Sequence, residues 1–218
     1  MVDADAIVFL APTTFVDSDD PAVIAYAQAA AGDAEPDVLK AARLFRTVRD
    51  GLRYDPYTVS NDPADYRAST IVKKDRGYCV PKAVLLCAVL RAVGIPAKLG
   101  FADVKNHLSS DKLRSAMGND LFVFHGYVEM LVSGRWFKVT PAFNRGLCER
   151  FGVAPLEFDG TADALLQPFD GKGHRYMEYV NDRGTYADLP FEEMLRAFLE
   201  AYGSERATMP THDETFHG

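Results

Sequence analysis

The chain has few of the features that mark a disulfide scaffold, a metalloprotein or a membrane protein. Its three cysteines, Cys79, Cys87 and Cys148, form no CxxC pair and no even set, which indicates a reducing compartment. No two histidines have the H-x-x-x-H spacing of a metal site, so we expect no metal and no cofactor. Apolar runs stay well short of the roughly 20 residues that span a membrane. The apolar stretch at residues 6–11 follows aspartates and lacks the basic start of a signal peptide.

Basic charge is also scarce. The 218 residues contain 24 Lys and Arg against 31 Asp and Glu, a net charge of −7. Because no basic cluster interrupts this balance, nucleic acid and anionic membrane are poor partners. A hydrophobic content of 48% is that of an ordinary globular domain. The composition therefore predicts a soluble, cytoplasmic protein.

Residues 1–18 have an irregular or strand-like pattern, and three stretches after them have the pattern of helices. Asp20-Pro21 is a carboxylate cap followed by proline at the first helical position, and predicts a helix that ends near Gly32. A second helix is predicted from Asp37, with apolar residues on one face up to Leu52. The run from Val80 to Val93 differs, since twelve of its fourteen residues are apolar. A helix that is apolar almost all round is buried on most sides.

The second half of the chain is richer in strand patterns. Strands are predicted at 97–104, 121–132, 135–143, 153–158 and 176–180, before a final helix at about 190–202 and a frayed tail after residue 203. Ser133-Gly134 is a short turn signal between two of these strands and predicts a hairpin. With a two-residue loop, His125 faces Ala142, and Thr140 and Asn144 lie within diagonal reach.

Cys79 and His125 are the candidate reactive pair. Cys79 lies at the N-terminus of the buried helix, where unpaired N–H groups and the helix dipole favour a thiolate. A histidine brought beside it completes a nucleophile and base. Tyr78 adjoins the nucleophile and is the candidate substrate-binding residue. Cys87 and Cys148 have the pattern of structural cysteines.

Four motifs occur in a fixed order: G-Y-C-V-P-K-A, R-A-V-G-I-P-A-K-L-G, H-G-Y-V-E and W-F-K-V-T-P-A. This ordered set resembles the transglutaminase-like superfamily over about residues 37–145, and more narrowly a group of bacterial transglutaminase-like proteins. The resemblance implies a papain-like, transglutaminase-core α+β fold, in which the cysteine-bearing helix packs on an antiparallel sheet. It implies Cys79 as nucleophile and His125 as base in a Cys-His-Asp triad.

The expected organisation follows from this resemblance. Residues 1–218 form a single domain, with the core at about 37–145, a helical N-terminal part at 1–36, and C-terminal strands and a helix at 146–206.

One departure concerns the third member of the triad. Thr140 occupies the position before Pro141 where the superfamily usually has Asp. Thr140 could orient His125 through its hydroxyl, and position favours it. Asn144 could act through its amide oxygen, which is the better acceptor chemically. Asp103 is a more remote substitute, and the remaining alternative is a triad that no longer catalyses.

Two functions follow from these alternatives. The first is a thiol enzyme that cleaves a protein, peptide or small amide through a Cys79 acyl-enzyme, with hydrolysis favoured over transamidation because water is the default acceptor. The second is a non-catalytic binding or scaffold protein. A papain or caspase peptidase proper is disfavoured: papain-type histidines follow the cysteine by about 130–150 residues, and caspase histidines precede it.

Overall fold

A computed structural model describes residues 4–107, 120–166 and 172–203. Its elements are a 3-10 helix (Ala4–Leu10), α1 (Pro21–Ala31), α2 (Asp37–Gly51), β1 (Arg53–Tyr54), a second 3-10 helix (Pro63–Tyr66), α3 (Ala68–Ile71), β2 (Arg76–Gly77), α4 (Cys79–Ala92), β3 (Ala97–Asn106), β4 (Leu121–Val132), β5 (Arg135–Val139), α5 (Arg145–Phe151), β6 (Met177–Tyr186) and α6 (Phe191–Tyr202). No helix within these ranges is long and apolar enough to cross a membrane.

The cysteine-bearing helix α4 is the centre of the molecule. Every residue from Cys79 to Arg91 is buried, because the helix lies between β4 on one side and α1 and α2 on the other. Gly94 follows its end with a left-handed φ of 82° and donates its N–H to the Arg91 carbonyl at 2.9 Å. The predicted α+β architecture, a central buried helix packed on an antiparallel sheet, is confirmed.

A buried lysine holds the first turn of α4 in place. Lys82 has no exposed surface, and its Nζ donates to the carbonyls of Arg49, at 2.7 Å, and Leu52. These carbonyls lie at the C-terminal end of α2, which carries partial negative charge. Burial lowers the pKa of Lys82 to about 7. The contact fixes the cysteine end of α4 against the end of α2.

The main sheet has the strand order β5-β4-β3-β6, with every neighbouring pair antiparallel. The β4–β5 turn is Ser133-Gly134, and both residues have positive φ, 52° and 79°, as tight hairpin turns require. Val128 pairs with Val139, which is the register predicted from the sequence.

Strand β5 is shorter than predicted and ends at Val139 instead of Phe143. Pro141 has no N–H to donate to a ladder, and the N–H of Thr140 already donates to the Ala164 carbonyl at 2.9 Å. The chain therefore leaves β4 at Thr140, where its backbone pairs with Ala164 instead.

Three further segments differ from the prediction. Residues 153–158 have no regular secondary structure, since Pro155 lacks a donor and the Leu156 carbonyl accepts from the Arg49 side chain. The strand expected at 176–180 extends to Tyr186, because it pairs along the whole of β3 from Leu99 onwards. Residues 4–10, expected to be irregular or strand-like, form the first 3-10 helix. The helices predicted at Pro21, at Asp37 and at about 190–202 are confirmed, and the tail after residue 203 lies outside the described residues.

Candidate active site

Cys79 is the first residue of α4 and lies against strand β4. Its side chain is 7% exposed, and the backbone N–H groups of Gly126 and Val80 lie near enough to the thiol to lower its pKa in part. Gly126 is needed for this approach, because a Cβ there would lie 3.2 Å from the Cys79 carbonyl oxygen and from Val80 Cα. Gly126 is bonded to His125, so the backbone next to the candidate base packs against the residue that carries the thiol.

The His125 imidazole is held by Thr140. Nε2 lies 3.0 Å from Thr140 Oγ1, and the same hydroxyl donates to the Gly126 carbonyl at 3.2 Å. A hydroxyl has only one hydrogen, and a carbonyl can only accept. Thr140 must therefore accept from His125, which places the imidazole proton on Nε2 and leaves the lone pair of the neutral ring on Nδ1.

Burial makes both reactive groups neutral. His125 is 4% exposed, and desolvation lowers the pKa of its imidazole to about 4. Desolvation raises the pKa of the Cys79 thiol to about 11, although the backbone N–H groups around it lower the pKa in part. The prediction of a site that favours thiolate is therefore wrong for this structure, because loss of water outweighs the polar groups at the helix end.

Of the two candidates for the third position, the structure brings Thr140 to His125 and directs the Asn144 amide elsewhere. Asn144 Oδ1 accepts from the backbone N–H of Tyr54 at 3.1 Å. This follows from the early end of β5, which carries Asn144 away to the residue before α5. The Asn144 amide, which is the better acceptor for His125 on chemical grounds, therefore connects β1 to the start of α5.

Tyr78, the candidate substrate-binding residue, lies in the core. Its side chain is 5% exposed; its hydroxyl lies 2.8 Å from that of Tyr66 and its ring packs against Phe198. Its contact with substrate stays a prediction. Cys87 and Cys148 are buried free thiols.

Asp103 does not contact the His125 ring. Its carboxylate accepts from the backbone N–H of Phe124, at 3.1 Å, and from the Arg183 side chain, at 2.5 Å. The remote carboxylate considered as a substitute for the triad Asp therefore binds the backbone one residue before His125.

Tyr179 is a neighbour of the site that the sequence did not reveal. Its ring meets the His125 imidazole edge-on, with centroids 6.2 Å apart, and its hydroxyl accepts from the Leu166 N–H at 3.4 Å. Burial raises the pKa of Tyr179, and the hydrogen bond from the Leu166 N–H offsets part of this increase. No local signal could identify Tyr179, because it reaches the site only through the pairing of β6 with β3.

A cavity of about 400 Å³ borders this group of residues. Tyr127, Tyr179 and Lys138 contribute to its walls, and the Lys138 ammonium lies 5.4 Å from the centre of the Tyr127 ring. Tyr179 lies between this cavity and His125, whereas Cys79, His125 and Thr140 are not among the residues that line the cavity. Among the described residues, no cluster of three or more His, Cys, Asp or Glu side chains could hold a metal.

The family of the chain follows from a match to the transglutaminase-like superfamily over residues 24–141, more than half of its length. The chain belongs to this superfamily. The match begins within α1, earlier than the core expected at 37–145, and the division of the chain into parts stays a prediction. None of the curated proteins matches the chain.

Two solved structures are similar to the chain. A cysteine protease candidate from Cytophaga hutchinsonii is 19% identical, with a TM-score of 0.55, over 88% of this chain and 50% of that one. The periplasmic domain of TgpA from Pseudomonas aeruginosa is 21% identical, with a TM-score of 0.45, over 64% and 48%. The chain thus spans about half the length of each. At these identities the first likeness supports the fold alone.

Proposed function

We propose that the chain is a thiol enzyme that attacks amide or peptide bonds through a Cys79 acyl-enzyme. The single observation that carries this proposal is the arrangement at the start of α4. There Gly126, the residue after His125, packs against the start of α4 and its N–H lowers the pKa of the Cys79 thiol in part, while Thr140 fixes the proton of His125 on Nε2. A nucleophile and a base with a defined lone pair are the parts that covalent acyl transfer requires.

The proposed reaction begins from the neutral pair. The Cys79 sulfur bonds to the substrate carbonyl carbon while its proton passes to Nδ1 of His125, and the carbonyl oxygen becomes an oxyanion. The backbone N–H groups around the sulfur stabilise that oxyanion. The carbon–nitrogen bond then breaks, and the imidazolium returns the proton to the leaving amine. Water attacks the thioester with His125 as base, and the Cys79 thiol leaves with the proton.

The acceptor and the substrate belong to the same proposal. Hydrolysis is favoured over transamidation, and the substrate is a protein, peptide or small amide whose acyl side the cavity beside Tyr179 receives. We assign no nucleic acid or membrane partner. The free thiols of Cys79, Cys87 and Cys148 support a reducing, cytoplasmic location.

A binding or scaffold protein without catalysis is the second candidate, and two observations favour it. The thiol is nearly buried and its pKa is raised, and Thr140 carries no charge with which to stabilise an imidazolium. On this view the core has kept its shape while the chemistry has been lost.

Acylation by p-nitrophenyl acetate separates the two candidates. The enzyme should release a burst of p-nitrophenolate equal to the protein concentration, with the acetyl group found on Cys79 by mass spectrometry. Cys79→Ala should abolish the burst while the protein stays folded, and His125→Ala should slow it. Cys148→Ala is the matched control and should leave the burst intact. An unlabelled Cys79, or a burst that survives Cys79→Ala, would favour the scaffold.

A further inference from the structure

We infer that Asp103 is a positioning residue for His125, acting through the backbone of Phe124. This inference rests on the proposed function, in which His125 is the base. It assigns a task to a buried carboxylate that touches neither the thiol nor the imidazole.

Strand β4 is bulged immediately before His125. Ala102 of β3 pairs with His125, but Val104 pairs with Phe122, so two residues of β4 lie opposite Asp103. One of them, Phe124, has a left-handed φ of 55°. This conformation is unfavourable for a residue with a side chain, and it persists only where the surroundings hold it.

The Asp103 carboxylate supplies that hold. It is 6% exposed and accepts from Phe124 N at 3.1 Å, Arg183 Nε at 2.5 Å and Asn181 Nδ2 at 3.1 Å. The Arg183 guanidinium also lies over the Phe124 ring, 4.7 Å from its centre. The backbone of Phe124 is therefore bound by the carboxylate, while its ring is covered by the cation that the carboxylate fixes.

The conformation of Phe124 decides where the next side chain points. Successive side chains of a strand alternate between the two faces, so a bulge redirects every residue that follows it. Without the acceptor, the Phe124 N–H would be buried and unpaired, which is unfavourable. Relaxation to extended backbone would restore solvation and turn His125 away from the Thr140 hydroxyl.

Two variants distinguish positioning from simple stabilisation by an ion pair. Asp103→Asn removes the charge paired with Arg183 but keeps an oxygen that can accept from Phe124. Asp103→Ala removes both. Arg183→Gln is the matched control, since it removes the ion pair and leaves the carboxylate in place. If Asp103→Ala does not fold, Asp103→Ser takes its place in the experiment. The serine side chain is too short for its hydroxyl oxygen to accept from Phe124 N.

The experiment measures the rate of Cys79 acetylation by p-nitrophenyl acetate, well below the lowest melting temperature of the set. We expect Asp103→Ala to be slower by about tenfold or more, with Asp103→Asn and Arg183→Gln close to the natural chain. Nitrogen NMR of the imidazole, assigned with His125→Gln, should show the proton on Nε2 in the natural chain and a mixed population in Asp103→Ala.

The outcomes separate this inference from the proposed function. If the acetylation rate falls equally in Asp103→Ala and Asp103→Asn, in step with their melting temperatures, the positioning role of Asp103 is overturned. An unchanged rate in both variants would also overturn it. If the natural chain is not acetylated at Cys79, the proposed function fails. The NMR result then decides alone: an Nε2 proton unaffected by Asp103→Ala would overturn the positioning role, and its loss would support it.

Discussion

Replacing Thr140 with valine tests the core of the site, because the change keeps the shape of the side chain and removes its hydroxyl. Thr140 is 1% exposed, so water cannot take the place of the missing oxygen. Two buried groups lose their partner: the Nε2–H of His125, at 3.0 Å, and the carbonyl of Gly126, at 3.2 Å. The proton of His125 would then no longer be confined to Nε2.

The size of the effect follows from these two hydrogen bonds. Leaving a buried polar group without a partner costs about 1–3 kcal/mol, and the extra methyl of valine returns about 1 kcal/mol. We therefore expect Thr140→Val to lower the free energy of unfolding by about 3 kcal/mol. Thr140→Ser keeps the hydroxyl and should cost only about 1 kcal/mol for the lost methyl.

Denaturant unfolding and Cys79 acetylation measure the two consequences together. Thr140→Val should slow acetylation by about tenfold or more, because His125 loses its defined lone pair, while Thr140→Ser should stay near the natural rate. Asn144→Ala removes the other candidate for the third position and should leave the rate unchanged. Equal acetylation rates for Thr140→Val and Thr140→Ser would refute the role of the hydroxyl. A slow rate in Asn144→Ala together with a natural rate in Thr140→Val would refute it as well.

Three further results follow from burial and close packing. The pKa of His125 is about 4 in the folded chain, against 6.5 ordinarily, so only the unfolded chain binds this proton between those values. The free energy of unfolding should therefore fall as the pH drops from 6.5 to 4, by about 3 kcal/mol more in the natural chain than in His125→Gln. Urea unfolding at both pH values measures this difference. An equal fall in the two proteins would contradict the lowered pKa of His125. With a pKa of about 11, Cys79 should be alkylated by iodoacetamide about ten times faster for each pH unit from 7 to 10; a plateau from pH 5 upward would indicate a thiolate–imidazolium pair instead. Gly126→Ala places a Cβ 3.2 Å from atoms of Cys79, Val80 and Ala83 in α4. It should lower the free energy of unfolding by about 1–3 kcal/mol, as measured by urea unfolding, and slow acetylation. Gly146→Ala, whose Cβ meets only one atom at 3.8 Å, should be tolerated, and equal effects of the two substitutions would refute the close approach of β4 to α4.

Local patterns were sufficient to predict the elements that carry the reactive pair. The apolar run after Cys79 has no polar face, so it could only be a buried helix, and Gly94 marked its end. Ser133-Gly134 set the hairpin register, because a two-residue turn leaves a single pairing of the strands on either side. That register is enough to bring Thr140 within reach of His125. These signals act over a few residues and need no knowledge of the rest of the chain.

The tertiary structure alone decided the chemistry of the pair. Whether a helix end favours thiolate depends on how much water reaches it, and distant segments bury Cys79 so closely that its pKa rises instead. The pairing of β6 with β3 brings Tyr179 to His125, and Arg183 to Asp103, from more than 50 residues away along the chain. Pro141 ends β5 early, which leaves Thr140 beside His125 and carries Asn144 to Tyr54. The sequence by itself indicated the candidate pair, Cys79 and His125; desolvation and long-range pairing raise the pKa of the first and lower that of the second.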